Sequence, residues 1–212
     1  MKIHYYSGWF DEALPAKYLE ALKNDITDKK SLVLIWGCWA GDDLIDFVRD
    51  KWLAPGGIVF DEISLVDNRM PKEEGQKLIK EASALLLLGG DDIPQAEFIK
   101  EYELAAPIKE SNGNIIMGFS AGAINMPSTC INFEDGRGGK MITYRGLGLD
   151  DFSYIPYFKP DMDGLPKDDI FALSEEMDIY ATTPESFFRV KGGEVEVFGD
   201  VYLFSGSKME KL

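Results

Sequence analysis

The sequence predicts a three-layer α/β fold in which helices cover both faces of a doubly wound, mostly parallel sheet. Short apolar runs alternate with stretches of about ten to fifteen residues that carry apolar side chains at helical spacing. Two of these runs, Ser31 to Trp36 and Ala84 to Leu88, are apolar almost throughout, as expected for strands buried on both faces. With 212 residues and 45% hydrophobic content, the chain is predicted to form a single domain over 1–212.

Five strands are predicted before residue 120, each followed by a helical segment. The predicted strands are Lys2 to Tyr6, Ser31 to Trp36, Ile58 to Val66, Ala84 to Leu88 and Asn114 to Gly118. The predicted helices are Asp11 to Leu22, a segment capped by Asp42 or Asp43 that reaches Trp52, a segment opened by Pro71, Gln95 to Tyr102 and then Glu103 to Lys109. Because ligands bind at the carboxyl ends of parallel strands, we expect the site at Gly89-Gly90 and Ser120.

The second half of the chain has weaker patterns and ends in a β-hairpin. Glycine and charge predict a loop over Phe133 to Gly139, and prolines predict another over Asp161 to Lys167. Met141 to Leu149 and Tyr154 to Phe158 fit either strand or loop. The clearest signal comes last, in the segments Phe187 to Val190, Lys191-Gly192-Gly193, Glu194 to Phe198 and Val201 to Phe204. These predict a C-terminal β-hairpin and one further strand.

Charge and cysteine content narrow the class of protein. A net charge of −15 argues against nucleic acid or an anionic membrane surface as the partner. The two cysteines, Cys38 and Cys130, have no metal-like spacing and favour a reducing compartment. The segment Met1 to Tyr6 lacks the apolar run of a signal peptide, and no apolar run is long enough to span a bilayer. We therefore expect a cytoplasmic protein, a monomer or homodimer without a cofactor or metal.

The sequence Gly118-Phe119-Ser120-Ala121-Gly122 matches the G-x-S-x-G pattern of a nucleophile elbow. A sharp turn between a strand and a helix places the middle residue in an unfavourable backbone conformation. Glycines two residues to either side lack a Cβ, so the turn can close. The pattern therefore predicts that the Ser120 hydroxyl is exposed at the end of the fifth strand.

The chain resembles the peptidase E family, which comprises serine peptidases such as aspartyl dipeptidases and the related cyanophycinases. The segments that carry the resemblance are Leu87 to Asp91, Gly118 to Ala123, Gly146 to Leu149 and Glu194 to Gly199. The resemblance implies a flavodoxin-like fold similar to that of class I glutamine amidotransferases. Those amidotransferases have cysteine where this chain has Ser120, so that branch is disfavoured.

The resemblance also implies roles for individual residues. Ser120 matches the nucleophile, and the backbone amides of Gly90 and Ala121 match the oxyanion hole. Asp135, or its neighbour Glu134, falls where the family has the acidic partner of the triad.

The histidine of that triad is absent from its place. The family places it about ten residues after the Gly-Leu-Gly-Leu motif, in a Pro-His context, but here Tyr157 follows Pro156. The only histidine of the chain is His4. Because a serine hydroxyl needs a general base near pH 7 and tyrosine is a poor one, we expect weak or lost hydrolysis.

Three interpretations remain open. In the first, the protein is a non-catalytic or nearly inactive relative that binds a peptide or small molecule. In the second, Lys159 or His4 replaces the missing base, and the protein remains a dipeptidase or acyl hydrolase. In the third, carboxylates surround Ser120 and Tyr157 and hold a cationic molecule or a hard metal ion. These carboxylates are Asp91, Asp92, Glu134 and Asp135.

The side chains available for substrate recognition are compatible with two kinds of ligand, an acidic one and an apolar one. A preference for an acidic residue before the scissile bond requires a cation in the pocket. We predict that Lys159 is this substrate-binding residue. The other basic residues of the second half are Arg137, Arg145 and Arg189. Aromatic residues near the predicted site instead favour an apolar ligand; they are Trp36, Trp39, Phe119, Tyr154, Tyr157 and Phe158.

Overall fold

The computed structural model describes residues 2–37, 43–134 and 139–212. Within them lies a seven-stranded sheet with the strand order β11-β10-β1-β5-β4-β2-β3. Its strands are β1 (Ile3–Ser7), β2 (Ser31–Ile35), β3 (Glu62–Val66), β4 (Ala84–Leu87), β5 (Ile115–Phe119), β10 (Phe187–Lys191) and β11 (Glu194–Phe198). The strands β1 to β5 are mutually parallel, and the hairpin β10–β11 adds to β1 in antiparallel orientation. The predicted doubly wound sheet and C-terminal hairpin are therefore confirmed.

Helices cover both faces of this sheet. They are α1 (Ala16–Asp25), α2 (Leu44–Phe47), α3 (Lys72–Glu81), α4 (Asp92–Glu101), α5 (Ala105–Lys109), α6 (Ala121–Ile124) and α7 (Lys167–Leu173). The helix α2 continues as a π-helical turn over Val48–Leu53 and a 3₁₀ turn over Ala54–Gly56. Side chains of α1 and of the π-helical turn pack on one face, and side chains of α3, α4 and α5 pack on the other.

Two predicted helix starts are wrong: one helix begins later than predicted and the other begins earlier. A proline lies near each start. The helix predicted from Asp11 begins only at Ala16, because Pro15 is extended and disfavours helical backbone in the residue before it. The helix predicted from Gln95 begins earlier, at Asp92, and contains Pro94 in its first turn. A proline is tolerated there because a first-turn N–H has no intrahelical acceptor to lose.

The second half adds two small sheets that the sequence did not resolve. The strands β6 (Thr129–Phe133) and β7 (Met141–Arg145) form an antiparallel pair. The strands β8 (Ser153–Ile155), β9 (Ile179–Thr182), β12 (Val201–Ser205) and β13 (Lys208–Lys211) form a sheet of order β13-β12-β9-β8. This second sheet, with the unpredicted α7 beside it, encloses its own apolar cluster. The short strand β8 leads directly to Tyr157.

Along the described ranges 2–37, 43–134 and 139–212, no helix is both long and apolar enough to cross a membrane.

Candidate active site

Ser120 occupies the sharp turn between β5 and α6. Its backbone has φ 52° and ψ −116°, a left-handed conformation that non-glycine residues rarely adopt. The Ser120 N–H donates to the carbonyl of Ser7 at 2.9 Å, which ties the turn to the end of β1. The side chain is partly exposed, and its hydroxyl makes no hydrogen bond within the described part of the chain. The local conformation is the strained one that the G-x-S-x-G pattern predicts.

Close backbone approach explains the two glycines that flank this turn. A Cβ on Gly122 would lie 2.1 Å from the carbonyl oxygen of Leu87 at the end of β4. A Cβ on Gly118 would lie 2.6 Å from the Cα of Ala123. Neither contact is possible for a real side chain, so the missing Cβ atoms let β5 and α6 close against each other. The turn therefore brings Ser120 beside the end of β4.

An aromatic cavity of about 240 Å³ lies on one side of Ser120. Its lining comprises Trp9, Trp36, Leu44, Leu88, Gly89, Gly90 and Ser120. Trp9 packs on Trp52, with ring centroids 4.6 Å apart, so it is fixed by the core behind it. The indole N–H of Trp36 is buried beside Gly90 and has no acceptor among the described residues. This cavity suits an apolar group.

A more polar cavity of about 200 Å³ lies on the other side of Ser120. Its polar lining residues are Asp92, Asn132, Tyr154 and Tyr157, and they face Ser120 across the cavity. The Asp92 carboxylate accepts from the amide of Asn132 at 2.7 and 2.8 Å and from the Tyr144 hydroxyl at 2.8 Å. Asp91, predicted to share this acidic pocket, is exposed at the start of α4.

The Asp92 network continues away from the cavity. The amide of Asn125 donates to the carbonyl of Asp92 at 2.9 Å and to the side chain of Gln95 at 3.0 Å. Tyr144 also donates towards Asn125 at 2.8 Å, and burial raises the pKa of Tyr144 far above its usual value. Residues of β6 and β7 therefore hold the Asp92 carboxylate in one orientation, while Asn125 holds its backbone carbonyl.

Tyr157 lies in this polar cavity with its backbone in the left-handed region, at φ 55°. Its ring covers Gly8, where a Cβ would lie 2.7 Å from the ring carbon Cε1. Its hydroxyl oxygen accepts a hydrogen bond from the Trp9 N–H at 2.6 Å. The Trp9 ring in turn lies against Gly89, beside Ser120. The segment after β1 thus holds the tyrosine hydroxyl close to the serine turn.

The other predicted site residues lie away from Ser120 or outside the described part of the chain. Glu134 is exposed at the turn after β6, and Asp135 falls outside the described residues. Lys159 is also exposed, and neither Glu134 nor Lys159 lines either cavity beside Ser120. The roles predicted for these three residues therefore stay predictions.

The remaining basic candidates add no cation to the two cavities. Arg189 pairs with Asp25 and Glu196, and Arg145 lines a different groove beside α4. Arg137 lies outside the described residues. Asp92 is consequently the one charged group that the described residues place in the lining of either cavity.

His4 is remote from the serine. It pairs with Ile116 in the register between β1 and β5, four residues before Ser120, which corresponds to about 13 Å of strand. Its Nδ1 lies 2.7 Å from the carboxylate of Asp150. His4 is therefore not the replacement base that one interpretation of the sequence allowed.

Two other chemical alternatives find no support in the described residues. No group of three or more histidine, cysteine, aspartate or glutamate side chains there is arranged to hold a metal ion. The thiol of Cys130 is buried, which raises its pKa to about 12 and keeps it protonated at neutral pH. Cys38 lies outside the described residues.

Sequence reasoning missed the partners that surround the serine. Trp9, Asn125, Asn132 and Tyr144 come from four separate segments, and no local motif connects them. The sequence predicts that both Asp91 and Asp92 lie near Ser120 and does not distinguish between them. Only the packing of β6 and β7 beside α4 distinguishes Asp92 from Asp91.

The fold is α/β, and Ser120 follows directly after β5, the central strand of the seven-stranded sheet. The sequence profile of peptidase family S51 matches residues 42–197. The chain therefore belongs to peptidase family S51 and is peptidase E-like, as the resemblance implied. No curated protein matches the sequence significantly.

Two solved structures share the fold. A peptidase from an acI-B1 Actinobacterium superposes with a TM-score of 0.71 at 19% identity, covering 100% of this chain and 94% of its own. A protein of Listeria monocytogenes EGD-e, provisionally assigned as peptidase E, superposes with a TM-score of 0.64 at 15% identity. That match covers 93% of this chain and 98% of the other. At these identities the likeness concerns the fold.

Proposed function

We propose that this protein is a peptidase E-like serine hydrolase homologue that binds a small peptide or related molecule at Ser120 and hydrolyses it weakly or not at all. One observation carries the proposal. Ser120 stands on a strained turn between two cavities, and Tyr157, which the resemblance puts in the place of the triad histidine, has a hydroxyl that accepts from Trp9. A serine is presented, but the described lining contains no imidazole, and its one carboxylate, Asp92, already accepts hydrogen bonds from Asn132 and Tyr144.

In this proposal Ser120 acts as a nucleophile elbow and the amides of Gly90 and Ala121 form the oxyanion hole. Neither N–H makes a hydrogen bond within the described residues, and Ala121 is the first residue of α6, where an N–H has no intrahelical acceptor. Gly90 has φ 130°, and a Cβ there would lie 2.9 Å from the Trp36 indole nitrogen. Only glycine therefore leaves room for a ligand carbonyl at this point.

The two cavities suggest what the ligand looks like. An apolar group would enter the aromatic cavity, and a neutral or cationic group would lie near the Asp92 carboxylate. An acidic residue, the preference that the aspartyl dipeptidases of the family would suggest, finds no cation in the described lining. The cytoplasmic setting remains part of the proposal on the strength of the sequence alone.

Fluorophosphonate labelling at neutral pH tests the proposal. We compare the native protein with Tyr157→His, and use Ser120→Ala as the control that removes the labelled atom. We expect slow or absent labelling of the native protein and faster labelling of Tyr157→His, because imidazole can accept the serine proton. Rapid labelling of the native protein at Ser120 would contradict the weak-hydrolase proposal.

Ligand binding is tested separately from hydrolysis. Calorimetric titration of the native protein with neutral, basic and acidic dipeptides is expected to give saturable heats for neutral or basic ones. Loss of those heats in Ser120→Trp, which fills the space between the two cavities, would place the ligand there. Unchanged heats in that variant would exclude this site.

A further inference from the structure

A third cavity, of about 310 Å³, lies near the amino end of β1, and Ser120 is not part of its lining. Its lining comprises Lys2, His4, Lys109, Gly148, Leu149, Asp150, Val190, Gly192 and Gly193. It therefore contains the only histidine of the chain and two lysines, in a protein whose net charge is −15.

Hydrogen bonds fix how His4 faces this cavity. Its Nδ1 lies 2.7 Å from the Asp150 carboxylate, which also accepts from the Tyr6 hydroxyl at 2.5 Å. The carboxylate thus orients the imidazole with Nδ1 as donor, and Nε2 has no partner among the described residues. A proton taken up at Nε2 would create an N–H donor directed at the cavity.

The two lysines contribute in different ways. The ammonium of Lys2 is held by Ser111 Oγ, the Ser111 carbonyl and the Gly113 carbonyl, at 2.6, 2.7 and 3.0 Å. It supplies fixed positive charge but has no donor to spare. Lys109 is exposed and makes no ion pair or side-chain hydrogen bond with the described residues.

The Lys109 ammonium lies over Gly148, 3.4 Å from where a Cβ of that residue would stand. Its three donors are therefore available at the mouth of the cavity. With Lys2, Lys109 and Asp150 charged, the lining carries one net positive charge, and protonation of His4 adds a second.

We propose that this cavity binds a small oxyanion, a carboxylate or phosphate group, between His4 Nε2 and the ammonium of Lys109. Three of the lining residues, Gly148, Gly192 and Gly193, have no side chain to narrow the cavity. Because the anion favours the protonated imidazole, it binds together with a proton. Its affinity is therefore expected to rise as the pH falls. The site is separate from Ser120, so the proposal stands independently of the hydrolase.

The single histidine makes the test direct. Untagged, ¹⁵N-labelled protein gives the two ring nitrogen signals of a single imidazole, and we follow the Nε2 signal during titration with inorganic phosphate and, separately, with succinate. Sodium chloride holds the ionic strength constant, and succinamide serves as the neutral analogue of succinate. We expect a saturable shift of the Nε2 signal with at least one of the two anions. The two titrations show which oxyanion is preferred.

Lys109→Gln is expected to weaken binding by about fivefold, as for loss of one exposed charge contact. Lys17→Gln, the same change at an exposed residue of α1 on the other face of the sheet, is expected to leave the affinity unchanged. The proposal is overturned if neither anion gives a saturable shift, if sodium chloride or succinamide reproduces it, or if both variants weaken binding equally.

Discussion

The backbone N–H of Trp9 donates a hydrogen bond to the Tyr157 hydroxyl at 2.6 Å. The contact joins the loop after β1 to the segment after β8. It assigns the hydroxyl a structural acceptor role. Whether the protein hydrolyses a substrate is therefore a separate question from whether the turn that presents Ser120 is intact.

Tyr157→Phe is expected to destabilise the protein by about 1 kcal/mol, because the Trp9 N–H loses its acceptor. For a chain of this size that corresponds to a fall in Tm of about 2–4 °C. Fluorophosphonate labelling is expected to stay unchanged, because the proposal gives Tyr157 no part in removing the Ser120 proton. The control is Tyr202→Phe, a half-buried tyrosine whose hydroxyl has no partner in the described part of the chain. A fall in labelling with Tyr157→Phe alone would give the tyrosine a chemical role.

Replacing Ser120 tests the backbone strain at the turn. The φ of 52° favours glycine, so Ser120→Gly is expected to be more stable than Ser120→Ala by about 1 kcal/mol. This margin should survive the greater flexibility of glycine in the unfolded chain. Urea unfolding of the two variants gives the comparison. An alanine variant as stable as the glycine variant would show that the turn relaxes without cost.

Gly122→Ala is expected to destabilise by about 2–3 kcal/mol, because its methyl group would meet the Leu87 backbone. The matched control is Gly75→Ala in α3, where the nearest neighbour of the methyl group would be a side-chain carbon of Val66, at 2.9 Å, instead of backbone. Alanine there gains about 1 kcal/mol in helix propensity, which offsets part of the contact with Val66. Thermal unfolding should separate the two variants clearly, and equal Tm values would mean that α6 shifts freely against β4.

Asp92→Asn is expected to weaken binding of dipeptides that carry a basic side chain, while neutral dipeptides bind as before. The reason is that Asp92 supplies the one charge in the described lining of the two cavities. A loss of about tenfold would match one charge-assisted hydrogen bond. Asp91→Asn, one residue earlier and exposed, is the control. Tighter binding of acidic dipeptides by the native protein would show that the cation comes from elsewhere in the chain.

The buried Asp25 makes part of the stability depend on pH. Burial by itself raises the pKa of this carboxyl, but hydrogen bonds from Tyr5 and Lys191 and the charge of Arg189 lower it below its usual value of 3.8. Because the pKa of Asp25 is lower in the folded state than in the unfolded state, its charged carboxylate stabilises the protein at pH values above the unfolded-state pKa. The contribution is lost as the pH falls through the folded-state pKa.

Asp25→Asn is therefore expected to cost about 3 kcal/mol near pH 7 and progressively less in acid. Urea unfolding at several pH values measures the difference from the native protein. Asp61→Asn, at an exposed position, serves as the control. A cost that does not change with pH would mean that packing, and not charge, accounts for the role of Asp25.

Much of the central sheet could be predicted because the signals are local. Apolar runs such as Ala84–Leu87 are buried on both faces, and Gly118 and Gly122 are demanded by the backbone within a few residues of Ser120. The left-handed conformation of Ser120 follows from the same neighbours. The absence of histidine near Tyr157 is likewise visible without any structure.

The second sheet and the surroundings of the serine could not be predicted in this way. The strand β8 pairs with β9 across more than twenty residues, and Asn132, Tyr144 and Asp92 meet only when β6 and β7 pack beside α4. Such contacts depend on which segments find each other in the folded chain, and their residues carry no shared periodicity.

The sequence by itself determined the parallel sheet, the family and the strained turn at Ser120, because steric limits and burial act between near neighbours. Only the tertiary structure decided what faces the serine. It turned Asp92 towards the polar cavity, left Asp91 in solvent, and paired His4 with Asp150 about 13 Å along the sheet from Ser120. These choices rest on side-chain packing and hydrogen bonding between segments that are distant in the chain.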